Sequence, residues 1–131
     1  MTLNLIKIKD NDTKTYFIKE FKKKKKWIIF YNWDNCGFCH RIRPLWEKFV
    51  LNNRNINFAE IERSQFDNMK QFLKKRNELI PHFPYFVEYT NEKNITKKRV
   101  IDNLESYINS LNTKKRKTLK RKKYMKKSLK K

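Results

Sequence analysis

Glycine is nearly absent from this sequence, which has a single glycine, Gly37, among 131 residues. There are also only three prolines and two cysteines, and the 13 acidic residues face 34 Lys and Arg, for a net charge of +21. Two cysteines are too few for the disulfide framework of a small secreted domain. The longest apolar run, WIIFY at 27–31, is far too short to cross a bilayer, so we expect no membrane span.

The first residues also lack the features of a signal peptide. Residues 1–12 have no basic start, no long apolar stretch and no small-residue cleavage site. We therefore expect a monomeric intracellular protein, cytoplasmic or nuclear. The composition, rich in Lys, Asn and Ile and poor in Gly and Ala, is typical of an AT-rich genome and would suit a large DNA virus, in which case the protein could be carried in the virion.

The positive charge is concentrated at the C-terminal end. Residues 113–131 hold 12 Lys and Arg and no acid, and such a segment cannot bury itself. We predict one domain over 1–112 followed by a disordered basic tail. The tail would bind nucleic acid or another polyanion, direct the protein to the nucleus, or only keep it soluble. The basic residues of its two clusters are Lys114, Lys115, Arg116, Lys117, Lys120, Arg121, Lys122 and Lys123.

The apolar pattern predicts the order β-α-β-α-β-α-β-β-α. This order indicates an α/β fold with a mixed sheet of four or five strands and helices on both faces. Asp12 or Thr13 is predicted to cap the first helix, and Ser64 is predicted to cap the third. The hairpin turn is predicted at Asn91–Glu92, and the last helix is predicted to bury Ile101. The strands are predicted at 3–8, 27–32, 56–61, 84–89 and 95–98.

Both cysteines and the glycine lie in the stretch NWDNCGFCHRIRPLW at 32–46. Cys36 follows a predicted buried strand and precedes a helix, a position that favours the thiolate. Two intervening residues bring Cys39 within bonding distance of Cys36. Gly37 would let the backbone turn tightly and leave space for a large substrate above the thiol.

Two other interpretations of the cysteine pair remain open, a passive structural disulfide and half of a zinc site. Zinc requires four ligands, and only Cys36, Cys39, His40 and His82 are available, two of them adjacent in sequence. We expect no metal in a single chain.

The segment at 27–49 resembles the strand, loop and helix around the active site of the thioredoxin superfamily. Pro44 follows Cys39 by five residues as in that family, and PLWEKF at 44–49 is most similar to the protein disulfide isomerase branch. Pro84, in HFPYFVEYTNEK, matches the proline that the family carries in a cis peptide bond. The resemblance covers about 3–112 and implies a thioredoxin fold, a role in cell redox homeostasis and no cofactor beyond a Cys36–Cys39 disulfide.

The resemblance also implies the reaction. The Cys36 thiolate would attack a protein disulfide, and Cys39 would then resolve the mixed disulfide; the reverse direction would oxidise a dithiol. Substrate would dock on Gly37 and on an apolar surface around it. The other residues of this surface would be Trp33, Phe38, Phe83, Pro84 and Tyr85, although Phe83 and Tyr85 could equally be core.

Two departures from the family bear on the chemistry. Asn35 replaces the tryptophan before the first cysteine, and Phe30 replaces a buried acid that takes the proton of the second cysteine. Glu60 on the next strand could supply the missing carboxylate for Cys39. His40 is expected on the helix surface, where it could tune the thiolate. The alternative function is a basic nucleic-acid-binding or redox-sensing module on the same scaffold.

Overall fold

The computed structural model describes residues 4–112. Within this range the chain forms five strands, four α-helices and one 3₁₀ turn. The strands are β1 (Leu5–Ile8), β2 (Lys26–Asn32), β3 (Asn57–Glu62), β4 (Tyr85–Glu92) and β5 (Ile95–Ile101). The helices are α1 (Asn11–Lys23), α2 (Gly37–Asn52), α3 (Lys70–Lys75) and α4 (104–112), and the 3₁₀ turn is Arg63–Gln65.

The five strands form one mixed sheet in the order β1-β3-β2-β4-β5. β1, β3 and β2 are parallel, whereas β4 and β5 run antiparallel to them. β2 lies at the centre, and residues Trp27 to Asn32 are buried, as expected for a strand covered on both faces. The predicted element order and mixed sheet are confirmed.

Each face of the sheet has its own apolar core. On one face, α1 and α3 pack on the sheet through Phe17, Phe21 and Phe72. On the other face, α2 and α4 contribute residues that pack around Phe30 and Phe58. These residues are Cys39, Trp46, Phe49, Val50, Leu104 and Tyr107. The second core reaches the cysteine loop, so the same packing that holds α2 in place also positions the thiols.

The first helix begins earlier than predicted. Its N-cap is Asp10, whose carboxylate accepts the Thr13 N–H at 2.9 Å, while the Thr13 hydroxyl accepts the Asp10 N–H at 3.0 Å. This reciprocal pair is a capping box. The predicted cap residues, Asp12 and Thr13, both lie inside the helix.

Three other boundaries differ from the prediction. Ser64 caps no helix: its N–H donates to the Glu62 carboxylate at 2.7 Å and starts the 3₁₀ turn, and α3 begins only at Lys70. The hairpin turn falls at Lys93–Asn94, where both residues have positive φ, because β4 continues through Glu92. Ile101 is buried as expected, but as the last residue of β5.

The lengths of the helices also bear on the membrane expectation. No helix within 4–112 is long and apolar enough to cross a membrane. The predicted basic tail lies outside the described residues, and the domain boundary at 112 stays a prediction.

Candidate active site

Cys36 is the N-cap of α2. Its Sγ accepts the backbone N–H of Cys39 at 3.3 Å, and its S–H donates to the backbone carbonyl of Phe83 at 3.5 Å. The peptide bond between Phe83 and Pro84 is cis. The chain before β4 therefore lies directly against the half-buried thiol, which has polar backbone groups on two sides.

The pKa of Cys36 is lowered from its ordinary thiol value. Burial alone would raise it, but hydrogen bonds from the Cys39 thiol and from the backbone N–H groups of Cys39 and Phe38 outweigh burial, and the Arg41 charge adds to them. All of these donors belong to the first turn of α2, where unpaired N–H groups favour an anion. Cys36 is thus prepared to react as a thiolate.

Cys39 has the opposite electrostatic environment. Its side chain is 3% exposed, and burial, followed by its hydrogen bond and charge interaction with Cys36, raises its pKa to about 12. A hydrogen bond with the Trp33 backbone and the positive charge of Arg43 oppose this rise. The two thiols lie together in one turn of α2 with their pKa values displaced in opposite directions.

Gly37 does not form the tight turn that its position suggested. It is the first residue of α2 and has no positive φ, so other residues could adopt the same backbone. A Cβ at Gly37 would meet no atom outside its own helix backbone within 4 Å. The prediction of a turn that requires glycine is wrong, whereas open space for a substrate stays a prediction.

The loop before Cys36 is held by hydrogen bonds to Asp34. Its backbone N–H donates to the Glu62 carboxylate at 2.8 Å, and its carbonyl accepts His40 Nε2–H at 2.6 Å. Burial acts to raise the pKa of Glu62, but hydrogen bonds from Ser64 and Asp34 lower it overall. His40 is exposed on the helix as expected, and its ring holds the loop.

Phe30, which the sequence resemblance places at the position of the family's buried acid, packs in an aromatic cluster. Its ring stacks on Phe86 at a centroid distance of 4.6 Å and contacts Trp46 edge-on at 5.3 Å. The Arg43 guanidinium lies over the Phe30 ring, 5.4 Å from the ring centroid. The second core is therefore aromatic beneath the cysteines.

Glu60 is 6% exposed and lies on the α2 face of the sheet, in register with Phe30. Its Oε1 accepts Arg43 Nη1 at 3.0 Å and its Oε2 accepts Trp46 Nε1 at 2.9 Å. Both partners come from α2, and Arg43 follows Cys39 by one helical turn. Within 4–112, no hydrogen bond joins Glu60 to Cys39. Glu60 and Arg43 also line an open cleft of about 480 Å³ beside the cysteine loop.

The predicted docking residues separate into two groups. Trp33, Phe38 and Phe83 surround Cys36: Trp33 and Phe83 contact at 6.1 Å, and Phe38 is 57% exposed. The Arg63 guanidinium lies over the Trp33 ring, 4.9 Å from its centroid, and the Arg41 guanidinium lies over the Phe38 ring at 5.2 Å.

Tyr85 belongs to the second group, since it is buried in the core on the α1 side of the sheet. His82 packs against its ring at 5.4 Å and donates Nδ1–H to the Pro84 carbonyl at 3.2 Å. Pro84 itself is half-buried. Tyr85 is therefore a core residue, and its predicted contact with substrate does not follow from its position.

Metal ligands do not converge in the described part of the chain. Among residues 4–112 there is no group of three His, Cys, Asp or Glu side chains that could hold an ion. The eight predicted polyanion-binding residues of the tail lie outside the described residues. Sequence reasoning missed Arg43 and Glu62; the spacing of four residues between Cys39 and Arg43 was the available signal, because such pairs share a helix face.

The family model for thioredoxin matches residues 8–110. This match spans most of the chain, so the protein belongs to the thioredoxin family and has the thioredoxin fold. A search of curated proteins found no match.

Solved structures with the same fold include thioredoxins of Trichomonas vaginalis and Schistosoma mansoni. Trichomonas vaginalis thioredoxin superposes with a TM-score of 0.61 at 10% identity, covering 87% of this chain and 98% of that one. The reduced Schistosoma mansoni thioredoxin pre-protein superposes with a TM-score of 0.56 at 21% identity, and the match covers 83% of this chain and 96% of that one. The J-Trx1 fragment of ERdj5 gives 0.57 at 11% identity; the match covers 85% of this chain but only 51% of that fragment. At such identities the likeness is one of fold.

Proposed function

We propose that the protein is a thiol–disulfide oxidoreductase that acts on protein disulfides or dithiols. The observation that carries the proposal is the Cys36–Cys39 pair at the start of α2, with the pKa of the outer thiol lowered and that of the inner thiol raised. A passive structural disulfide has no need of this asymmetry. A redox pair does, because one thiol attacks while the other waits protonated.

In the first step the Cys36 thiolate attacks one sulfur of a substrate disulfide. A mixed disulfide forms and the first substrate sulfur leaves as a thiolate. Cys39 then loses its proton and attacks Cys36 Sγ, which breaks the mixed disulfide and releases the second substrate sulfur. The substrate has gained two electrons, and the protein is left with a Cys36–Cys39 disulfide. The reverse sequence would oxidise a substrate dithiol.

Proton removal from Cys39 is the step for which the family acid is missing. We assign it to Glu60, whose carboxylate is held by Arg43 and Trp46 on the face of the sheet that Cys39 packs against. The positive charge of Arg43 favours the Cys39 thiolate in the same step. The open cleft beside Glu60 gives the proton a route to solvent.

Protein substrates fit the exposed surface around Cys36. Phe38 and the half-buried rings of Trp33 and Phe83 provide an apolar contact area beside the thiol. A flexible peptide segment bearing the disulfide is therefore the substrate we propose.

The direct test is turnover of a protein disulfide, with insulin as the substrate and dithiothreitol as the terminal reductant. We expect the full chain to accelerate reduction and Cys36→Ser to abolish the acceleration. The Cys39→Ser variant should instead accumulate a mixed disulfide that is visible by mass spectrometry. A full chain with no activity above dithiothreitol alone, and no mixed disulfide in Cys39→Ser, would support a binding or sensing module on a thioredoxin scaffold.

A further inference from the structure

The end of the domain opposite the cysteines is strongly basic. β2 runs away from this end toward the cysteine loop, so its seven residues separate the two ends by roughly 20 Å. Three segments meet there: the last turn of α1, the last turn of α3 and the β4–β5 hairpin. We call five exposed lysines of these segments the basic end face, which comprises Lys22, Lys23, Lys74, Lys75 and Lys93.

Hydrogen bonds tie these three segments together. The Asn91 side chain donates to the carbonyls of Phe21 and Lys24 at 2.8 and 3.1 Å, which fastens the hairpin to the end of α1. Lys98 Nζ donates to the carbonyls of Arg76 and Asn77 at 3.1 and 3.2 Å, which fastens the hairpin to the end of α3. The basic end face is therefore a fixed surface of the folded domain.

Acidic neighbours do not neutralise this surface. Glu92 is paired with Lys25 at 3.2 Å, and Glu78 with Lys98 at 3.2 Å, so each already has a lysine of its own. Within 4–112, none of the five lysines of the basic end face takes part in an ion pair. The face presents five uncompensated charges to solvent.

Helix stability explains only part of this arrangement. Lysines in the last turns of α1 and α3 complement the negative ends of the helix dipoles. Lys93 lies in the hairpin turn and belongs to neither helix, so stabilisation of its own helix does not explain its position.

The described chain also ends at this end of the domain. α4 starts after Ile101, which lies near the cysteine end of the sheet. Leu111, near the C-terminus of α4, lines a cleft with Arg54 and Ile56, which lie at the opposite end of the domain. The last described residues of α4 therefore lie at the same end of the domain as the basic end face, and the 12 basic residues of 113–131 come next in the sequence.

We propose that the basic end face binds the phosphate backbone of duplex nucleic acid without reading its sequence. Five lysines on one fixed surface match a polymer that carries one charge per roughly 1.7 Å of its axis. The face holds no exposed aromatic ring for stacking on bases, and a lone exposed Ile95 in the hairpin is not the apolar face that a membrane surface requires. Binding at this end leaves Cys36 free to react.

The test measures binding of the full chain to a random-sequence DNA duplex by fluorescence anisotropy over a range of salt. We compare a face variant, Lys22→Gln, Lys75→Gln and Lys93→Gln, with a control variant that loses the same charge elsewhere. The control substitutions are Lys9→Gln, Lys48→Gln and Lys70→Gln, all at exposed positions. Unfolding curves establish that both variants are folded.

We expect the face variant to reduce the slope of log K against log salt by roughly 2 to 3, because each lost phosphate contact removes about 0.9. The control should change the slope by less than 1. The same difference should persist when the clusters at 114–117 and 120–123 are replaced by glutamine, which separates the face from the tail. Disulfide reduction by the face variant should equal that of the unchanged protein.

Two results would overturn the proposal. If both variants weaken binding equally, the effect is one of net charge and no particular face binds. If the protein binds vesicles containing phosphatidylserine but not the duplex at the same ionic strength, the partner is a lipid surface. Neither result would bear on the oxidoreductase proposal, which is tested separately by turnover of a protein disulfide.

Discussion

The guanidinium of Arg43 and the carboxylate of Glu60 form an ion pair, 3.0 Å between Nη1 and Oε1, one helical turn beyond Cys39. The second carboxylate oxygen accepts the Trp46 indole. A carboxylate on β3 is thereby held by two side chains of the helix that carries both thiols. Glu60 is in register with Phe30 on the neighbouring strand, and this relationship leads to the first prediction.

Glu60→Gln should slow the attack of Cys39 on the mixed disulfide by about tenfold or more, because a positioned base typically contributes about 10² or more. Glutamine keeps an acceptor for Trp46, so the fold should persist. The decay of a mixed disulfide formed on Cys36, followed between pH 6 and 9 by acid quenching, measures this step. Glu47→Gln is the control, since Glu47 is exposed on the same helix and lines the same cleft. An unchanged rate and pH profile in Glu60→Gln would remove Glu60 from the mechanism.

The two thiols should differ in reactivity toward an alkylating agent. With its pKa lowered, Cys36 is more ionised near neutral pH than an ordinary thiol, whereas the pKa of about 12 keeps Cys39 protonated. Iodoacetamide at pH 7 should therefore modify Cys36 and spare Cys39 in the reduced native protein, as read by peptide mass mapping. Denatured protein, in which both thiols are exposed, is the control. Equal labelling of the two in the native state would contradict the assigned asymmetry.

Stability should fall above about pH 10. Burial raises the pKa of Tyr31, Tyr89 and Tyr107 above the ordinary phenol value, so these phenols ionise only in the unfolded chain. The unfolded state then binds fewer protons than the folded state, and the free energy of unfolding falls by about 1.4 kcal/mol per pH unit for each such phenol.

Denaturant unfolding at several values between pH 9 and 11 measures this slope. Tyr107→Phe should reduce the pH slope of the free energy of unfolding by the contribution of one phenol. Tyr16→Phe should leave the slope unchanged, because Tyr16 is 56% exposed. A slope that is the same in Tyr107→Phe as in the unchanged protein would contradict the prediction.

Trp46→Phe should destabilise the fold more than its loss of volume alone suggests. The substitution keeps an aromatic ring among Phe30, Phe49 and Phe58 but removes the donor to Glu60 Oε2. An unsatisfied buried acceptor costs about 1–3 kcal/mol, and more for a charged group. Urea unfolding checks this, with the half-buried Trp33→Phe as the matched control. Combining Trp46→Phe with Glu60→Gln should recover part of the loss; no recovery would mean that packing alone accounts for it.

The element order was predictable because each strand and helix carries its own apolar period. The run at 27–32 is continuously apolar and became the central strand, and the stripe after Cys39 became α2. The caps were harder to predict, because Asp10, Asp12 and Thr13 all have side chains that cap helices, and only the three-dimensional hydrogen bonds select Asp10. The hairpin turn moved by two residues because β4 and β5 pair as far as Glu92 and Ile95.

The lowered pKa of Cys36 was predictable from local sequence, since a thiol at a helix start depends mainly on its own helical turn. The environment of Cys39 was less predictable. That Glu60 would face α2 followed from strand alternation, but its partners Arg43 and Trp46 could not be chosen among several donors without the packing of α2 on β3. The prediction for Gly37 failed for a different reason: as the single glycine of the sequence it suggested a tight turn, whereas it is the first residue of α2 and has no positive φ.

The reduction potential of the Cys36–Cys39 pair tests the central claim most directly. Equilibration of the full chain with glutathione redox buffers, followed by thiol trapping, should give a two-electron transition that is lost in Cys36→Ser. A value near about −270 mV would make the protein a reductant, and one near about −180 mV or higher an isomerase or oxidant. No reversible transition, with both thiols trapped only after unfolding, would contradict the account and leave the basic surface as the main evidence of function.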